Sequence, residues 1–222
     1  MPERPTRRLL AAPERAASIL TAAARVFARQ GYAATTVDQV AAEAGVSKLI
    51  VYRHFNSKRE LYLAIITQVR QRLANVPRPT APVQPEDGLA AIRHATATLA
   101  ATFAVARELP DAFRLLHRHA PREPEFAEHA ALHGGTVEAE AMLAGIDDPL
   151  IRGWMARIIS KTVDEAFLDW LDAGDPDRDD EMVERVAFLL GGMVGSAWVR
   201  ARALGRPVDP PSDTTPPTAT SA

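Results

Sequence analysis

Residues 45 to 61 read GVSKLIVYRHFNSKREL, and they set cations, Lys48, Arg53 and Lys58 among them, beside a phenol, Tyr52, and an imidazole, His54. These are the side chains that meet a polyanion: ammonium and guanidinium groups attract phosphate, while short hydroxyl and ring donors fix register. At 3.6 residues per turn Val51 and Phe55 fall one turn apart on one side, and Lys48, Leu49, Tyr52 and Arg53 share an adjoining face. A cylinder about two turns long, apolar behind and cationic in front, fits a major groove roughly 12 Å wide. Lys48 and Arg53 are then candidates for base edges or phosphates, and Leu49 and Ile50 for thymine methyls or sugars. Thr36 and Lys58 stand at expected helix starts, where free backbone N–H groups favour an anion.

The elements that must hold this face are legible in the flanking sequence. From Pro13 a first helix carries Ile19, Leu20, Ala23, Ala24 and Phe27 on one side and should stop at Gly31. Thr36-Val-Asp-Gln39 is a capping box, in which the Thr36 hydroxyl accepts from the third helical N–H and Gln39 reaches back. Val37, Val40, Ala41 and Ala44 then give a helix ending at Gly45. Ser47 is the expected cap of the third helix, leaving Gly45 and Val46 as a tight turn. Asn56 and Ser57 interrupt it, and Ser57-Lys-Arg-Glu60 reads as a second capping box opening a fourth helix to about Asn75. Helix, glycine turn, short helix and further helix make helix-turn-helix geometry.

Beyond it, NVPRPTAPVQPED has prolines at 77, 79, 82 and 85, so it is expected to be an extended connector. Helical periodicity resumes over 88–108, 110–119, 122–145 with a break at Gly134-Gly135, 149–173 and 178–204. No convincing period-two run appears, so the fold class is all-α. The expected organisation is a disordered basic arm over 1–13, a helix-turn-helix domain over 14–60, a helical body over 61–205 and a Pro/Ser/Thr-rich disordered tail over 206–222.

Charge is segregated along this plan. The first 60 residues hold ten Lys/Arg against five Asp/Glu, leaving sixteen against twenty-three for the remainder. A cationic front on an acidic body is what a chain needs when only one end approaches a polyanion. Cysteine is absent, which excludes disulfide frameworks and thiolate metal sites. The first residues lack a secretory apolar run, and the longest uncharged apolar stretch, 186–199, is shorter than the ~20 residues that span a bilayer. A cytoplasmic protein without membrane contact is expected.

With these residues in register, the front end resembles the TetR family of bacterial transcriptional regulators. The matching positions are Ala23, Ala24, Phe27, Gly31, Tyr32, Thr35, Thr36, Val37, Val40, Ala41, Ala44, Gly45, Val46, Ser47, Tyr52, His54, Phe55, Ser57, Lys58 and Leu61. The resemblance covers about residues 14 to 65. It implies an N-terminal three-helix DNA-binding domain followed by a helical ligand-binding and dimerisation domain. By resemblance Thr36, Lys48, Tyr52, His54 and Lys58 contact DNA, while Arg53 is added by helix geometry. Leu49, Ile50 and Val51 depart from the family, which often has a small residue and then Thr there.

One short helix reads too little DNA for specificity, so a dimer on a palindromic operator is expected, its two readers roughly 34 Å apart. The final helix repeats Val183, Val186, Ala187, Leu190, Val194, Ala197, Trp198 and Ala201, with Gly191, Gly192, Gly195 and Ser196 permitting close approach. The helix before it is apolar on more than one side. The resemblance implies that these two helices form a four-helix contact between chains, with Phe167, Trp170, Leu190, Val194, Gly195 and Trp198 as candidate contacts. A small-molecule pocket is expected among Leu99, Phe103, Phe113, Leu116, His117, Met142, Trp154 and Ile158, with His94 as a further polar point, suiting a hydrophobic or aromatic effector. The resemblance implies that such an effector shifts the fourth helix and releases the operator, most simply from a repressor. No cofactor is expected. His129 and His133, four apart near Glu125, have the spacing of a divalent-metal pair, but exposed histidines four apart are frequent by chance, and no metal is expected there. No nucleophile, base or carboxylate pair is spaced for catalysis, so an all-α enzyme ranks below an architectural DNA-binding protein without effector.

Overall fold

The computed structural model describes residues 12–77, 88–131, 139–143, 146 and 148–203. The expected basic arm, most of the proline-rich connector, the Gly134-Gly135 break, His133 and the tail lie outside the described residues, as do the side chains of His94, Ala197, Trp198 and Ala201. The helices are α1 (Ala12–Ala34), α2 (Val37–Glu43), α3 (Lys48–His54), α4 (Lys58–Ala74), α5 (Gly88–Glu108), α6 (Pro110–Arg114), α7 (Ala127–Ala131), α8 (Pro149–Ala173) and α9 (Asp179–Ala203). No strand occurs among the described residues, and no described helix is long and apolar enough to cross a membrane.

By contacts the chain divides into two compact units, residues 1–76 with 102–133, and residues 77–101 with 134–222. In the first, α1 packs on α2, α4 and α6, and α2 on α3. Its core is built from Ile19, Phe27, Val40, Val51 and Leu61, all at most 1% exposed, with Phe113, Leu115, Leu116 and Phe126 supplied by the later segment. α1 is interrupted at Gly31, whose φ of 78° and ψ of 171° suit a residue without Cβ. The wholly buried Thr35 satisfies its hydroxyl by donating to the Gly31 carbonyl at 2.7 Å.

Local signals held at some termini and changed at others. The Thr36 box is complete: the Thr36 hydroxyl accepts from Gln39 N–H, and Thr36 N–H donates to Gln39 Oε1 at 2.8 Å. Ser47 occupies the N-cap of α3 with extended backbone, but its hydroxyl makes no capping bond. Ser57 caps α4 as expected, accepting from Glu60 N–H at 3.0 Å, whereas the Glu60 carboxylate passes Ser57 and accepts from Asn56 N–H instead. The expected helix from 122 begins at Ala127, because Pro124 disfavours helical backbone at the residue before it, and Glu123 is extended with φ −98° and ψ 110°. The expected 110–119 helix keeps α geometry only to Arg114 and widens to a π turn over Leu115–His119.

In the second unit α8 and α9 pack together across a short linker. Asp148 caps α8 by accepting from the N–H groups of Leu150 and Ile151, with Pro149 at the first helical position. The turn is closed by Trp170, whose indole N–H donates to Asp179 Oδ1 at 2.7 Å and whose ring lies so close to Gly174 that a Cβ there would stand 2.3 Å from it. Ala156, Ile159, Phe167 and Leu168 of α8 and Met182, Val183, Ala187 and Leu190 of α9 are all buried.

Candidate nucleic-acid interface

α3 is seven residues long and reached from α2 through Gly45, whose φ of 64° lets the chain turn within two residues. The turn is fastened from Val46 N–H to the Ala41 carbonyl at 2.9 Å. Val51 and Phe55 point inward and are buried; Leu49 and Tyr52 are 65% and 43% exposed. Lys48 and Arg53 are exposed on the same side, and Ile50 and His54 are half-buried at its margins. The His54 ring lies 6.4 Å from that of Phe55. The helix thus presents one cation at each end of an outward face with a leucine and a phenol between them.

The remaining sequence-derived positions divide. Thr36 is exposed at the start of α2, its side chain committed to the capping box. Lys58 turns inward: its ammonium donates to the carbonyls of Tyr32 at 2.8 Å, Thr35 at 3.0 Å and Ala33 at 3.4 Å, and lies 4.3 Å from the centroid of the Tyr32 ring. Its first task is therefore to tie the start of α4 to the end of α1, and the phosphate contact expected of it would have to be shared with those carbonyls.

Ion pairs brace the same region. Arg25 and Arg29 of α1 donate to Glu43 of α2 at 3.1 and 2.8 Å, and these donors, Arg29 first, hold the Glu43 carboxyl below its ordinary pKa. Across the turn Lys48 Nζ donates to Asp38 Oδ2 at 2.7 Å, and that hydrogen bond raises the Lys48 pKa. Asp38 escaped the sequence reading. Its only signal there was a carboxylate ten residues before Lys48, on the neighbouring helix.

The reading head also rests on the later segment of its own unit. Phe126 sits 4.7 Å from the Tyr32 ring and 4.3 Å from that of Tyr62, centroid to centroid, with Phe27 completing the nest. Tyr62 is wholly buried, its hydroxyl finds no hydrogen-bond partner among the described residues, and burial drives its pKa well above the ordinary phenol value. From α4, Arg59 donates to Glu125 at 2.5 Å, Arg70 to the His129 carbonyl at 3.1 Å, and Arg72 to Glu108. Glu125 is thus engaged by an arginine, and no group of three metal-ligating side chains occurs among the described residues.

The expected pocket residues fall in both units. Phe103, Phe113 and Leu116 are buried in the first, where the Phe113 and His117 rings stack at 4.2 Å. Leu99 is buried in the second, Met142 is half-buried, and Trp154 and Ile158 lie on the surface of α8. Among the expected partner contacts Phe167 is wholly buried and Leu190 nearly so, and Trp170 is half-buried with its indole N–H on Asp179. Gly195 is exposed and Val194 half-buried. The sequence reading missed Phe188 and Leu189, 74% and 63% exposed, together with Leu150. They were legible only as an excess: both helices are apolar on more sides than one core can use.

A family model for bacterial regulatory proteins of the tetR family matches residues 19–65, the stretch that builds α1 to α4. The HTH-type transcriptional activator FasR of Mycolicibacterium smegmatis is 51% identical over 53 residues, 24% of this chain and 24% of that protein. The HTH-type transcriptional repressor Rv3405c of Mycobacterium tuberculosis is 38% identical over 69 residues, 31% and 37% of the two chains. The matched segment thus spans between about a quarter and two fifths of these relatives. Likeness over nearly the whole chain is structural: a tetR-family transcriptional regulator from Streptomyces coelicolor superposes with a TM-score of 0.62 at 20% identity, covering 92% of this chain and 93% of that one. A TetR-like transcriptional regulator from Rhodococcus gives 0.61 at 19%, covering 81% and 97%.

Proposed function

We propose that this chain, whose residues 19–65 match the tetR family of bacterial regulatory proteins, is a ligand-responsive transcriptional regulator that binds a palindromic operator as a dimer. The observation that carries this reading is the outward face of α3, where Lys48, Leu49, Tyr52 and Arg53 stand exposed on a two-turn helix whose back is locked by Val51 and Phe55. Lys48 and Arg53 meet base edges or phosphates, Tyr52, His54 and Thr36 supply donors at the edges, and Leu49 packs on a thymine methyl or a sugar.

Dimer formation is supported by apolar surface that the second unit leaves uncovered. Leu150, Ile151, Trp154 and Ile158 occupy the first half of α8, and Phe188, Leu189, Gly192 and Gly195 the middle of α9 and just beyond it. Both runs lie outside the Trp170–Asp179 turn, and exposed apolar surface of this kind on a monomer is a contact in waiting. A two-fold contact there would supply the second reader that specificity requires.

Effector response is supported by the linkage between α4 and residues 108–129. An apolar or aromatic molecule wedged among Phe103, Phe113, Leu116 and His117 would move the segment that Arg59, Arg70 and Arg72 hold against α4. It releases DNA to the extent that it prefers the displaced conformation. Repression is the simplest outcome, since a dimer seated on a promoter blocks it without further contacts. The relatives' names include both an activator and a repressor.

Selection of bound sites from random DNA by the purified chain tests the reading directly. A two-fold symmetric site with half-sites about one helical turn apart is expected. Enrichment of no site, or of a single asymmetric one, would overturn it.

A further inference from the structure

Lys48 and Asp38 are both half or more exposed, yet they are joined at 2.7 Å across the turn between α2 and α3. Exposed ion pairs add little to folding stability, so the pair matters chiefly for what Lys48 can reach. A free ammonium beside DNA is drawn to the nearest phosphate, and that attraction is the same for every sequence. An ammonium already bound by a carboxylate on the neighbouring helix has one direction fixed, and its remaining N–H groups point where the geometry of α2 and α3 sends them. The Tyr52 phenol lies close enough on the same face to act on Lys48 electrostatically.

We propose that Asp38 is a positioning residue for recognition: by holding Lys48 it keeps that cation from serving as a general phosphate contact and makes the chain more discriminating than its charge alone would allow. This rests on the DNA-binding reading above. Asp38 thereby lowers affinity for arbitrary duplex and raises the ratio of specific to non-specific binding.

The test measures the intact chain, Asp38→Asn, Lys48→Gln and the double variant against the selected site and a scrambled duplex over a range of salt. Asp38→Asn should tighten binding to the scrambled duplex about three- to tenfold, steepen its log–log salt slope by about 0.9, the release of one further counterion, and lower the specificity ratio. In the Lys48→Gln background the same change should do neither, because there is no ammonium to release. An effect of Asp38→Asn that persists in that background would mean that the carboxylate merely repels DNA, and would overturn the proposal. Lys48→Gln alone supplies a readout that does not depend on how well Asp38→Asn folds. Its salt slope on scrambled DNA should change by well under one, and a loss of about 0.9 would mark Lys48 as an ordinary phosphate contact and reject the idea. Failure of the parent chain to bind any duplex would instead refute the DNA-binding reading.

Discussion

The Lys58 ammonium has three hydrogens, and three carbonyl oxygens at the end of α1 lie within reach of them. A cation at the C-terminal end of a helix is favoured by the dipole and by the unpaired carbonyls there. The interruption of α1 at Gly31 is what sets the Tyr32 and Thr35 carbonyls facing α4. The sequence around Lys58 points elsewhere, to a cation at a helix start awaiting an anion, because its partners are 23 to 26 residues away and no local pattern carries that distance. Lys48, Tyr52 and Arg53 were legible for the opposite reason: their exposure follows from the spacing of Val51 and Phe55 alone. Lys58→Met keeps most of the side-chain volume and removes the ammonium. It should lower stability by about 1–2 kcal/mol, the order of one lost hydrogen-bonded charge, while shifting the salt slope of DNA binding by well under one. Denaturant titration and binding at several salt concentrations check the two halves, and an unchanged midpoint with a slope reduced by about one would restore the phosphate role.

At the scale of the helices, termini that depend on one side chain and the nearest N–H were readable, as at Thr36 and Ser57, and those with a competing partner were not, as at Glu60. The apolar stripe of α9 was equally plain through Val183, Val186, Ala187 and Leu190. Which of its other sides stays uncovered was not, since that depends on what α8 brings to it. Gly192 and Gly195 separate the two questions. A Cβ at either meets nothing within 4 Å among the described residues, and neither has positive φ. Gly195→Leu should therefore fold at least as well as the parent as a single chain, gaining up to about 1 kcal/mol of helix propensity. If Gly195 faces a second copy, the same leucine wedges the partners apart. Sedimentation should give a dimer for the parent and a monomer with unchanged helix content for the variant. A variant that remains dimeric would remove this face of α9 from the interface.

For the molecule as a whole, the helix-turn-helix motif is complete by residue 65, but the unit that contains it is not. Residues 102–133 belong to the same contact unit, and they bring Phe113, Leu115, Leu116 and Phe126 into its core. Sequence alone hides this, because the proline-rich connector reads as a boundary and the aromatic nest joins residues about a hundred positions apart. The consequence is physical: without the later segment, Tyr32 and Tyr62 lose the ring packed on both of them, and Arg59, Arg70 and Arg72 lose their acceptors. Phe126 is wholly buried, so Phe126→Ala should cost roughly 3–5 kcal/mol, a cavity-forming loss comparable to much of a domain's stability. A fragment ending at Val76 should suffer more, unfolding broadly and far below the intact chain, with weaker affinity for the selected site than two-fold symmetry alone would remove. Circular dichroism melts of the fragment, the variant and the parent decide this. If the fragment melts as sharply and as high as the parent, the head is self-sufficient. The route by which an effector among Phe113 and His117 would reach α3 would then have to run through something other than the Phe126 nest.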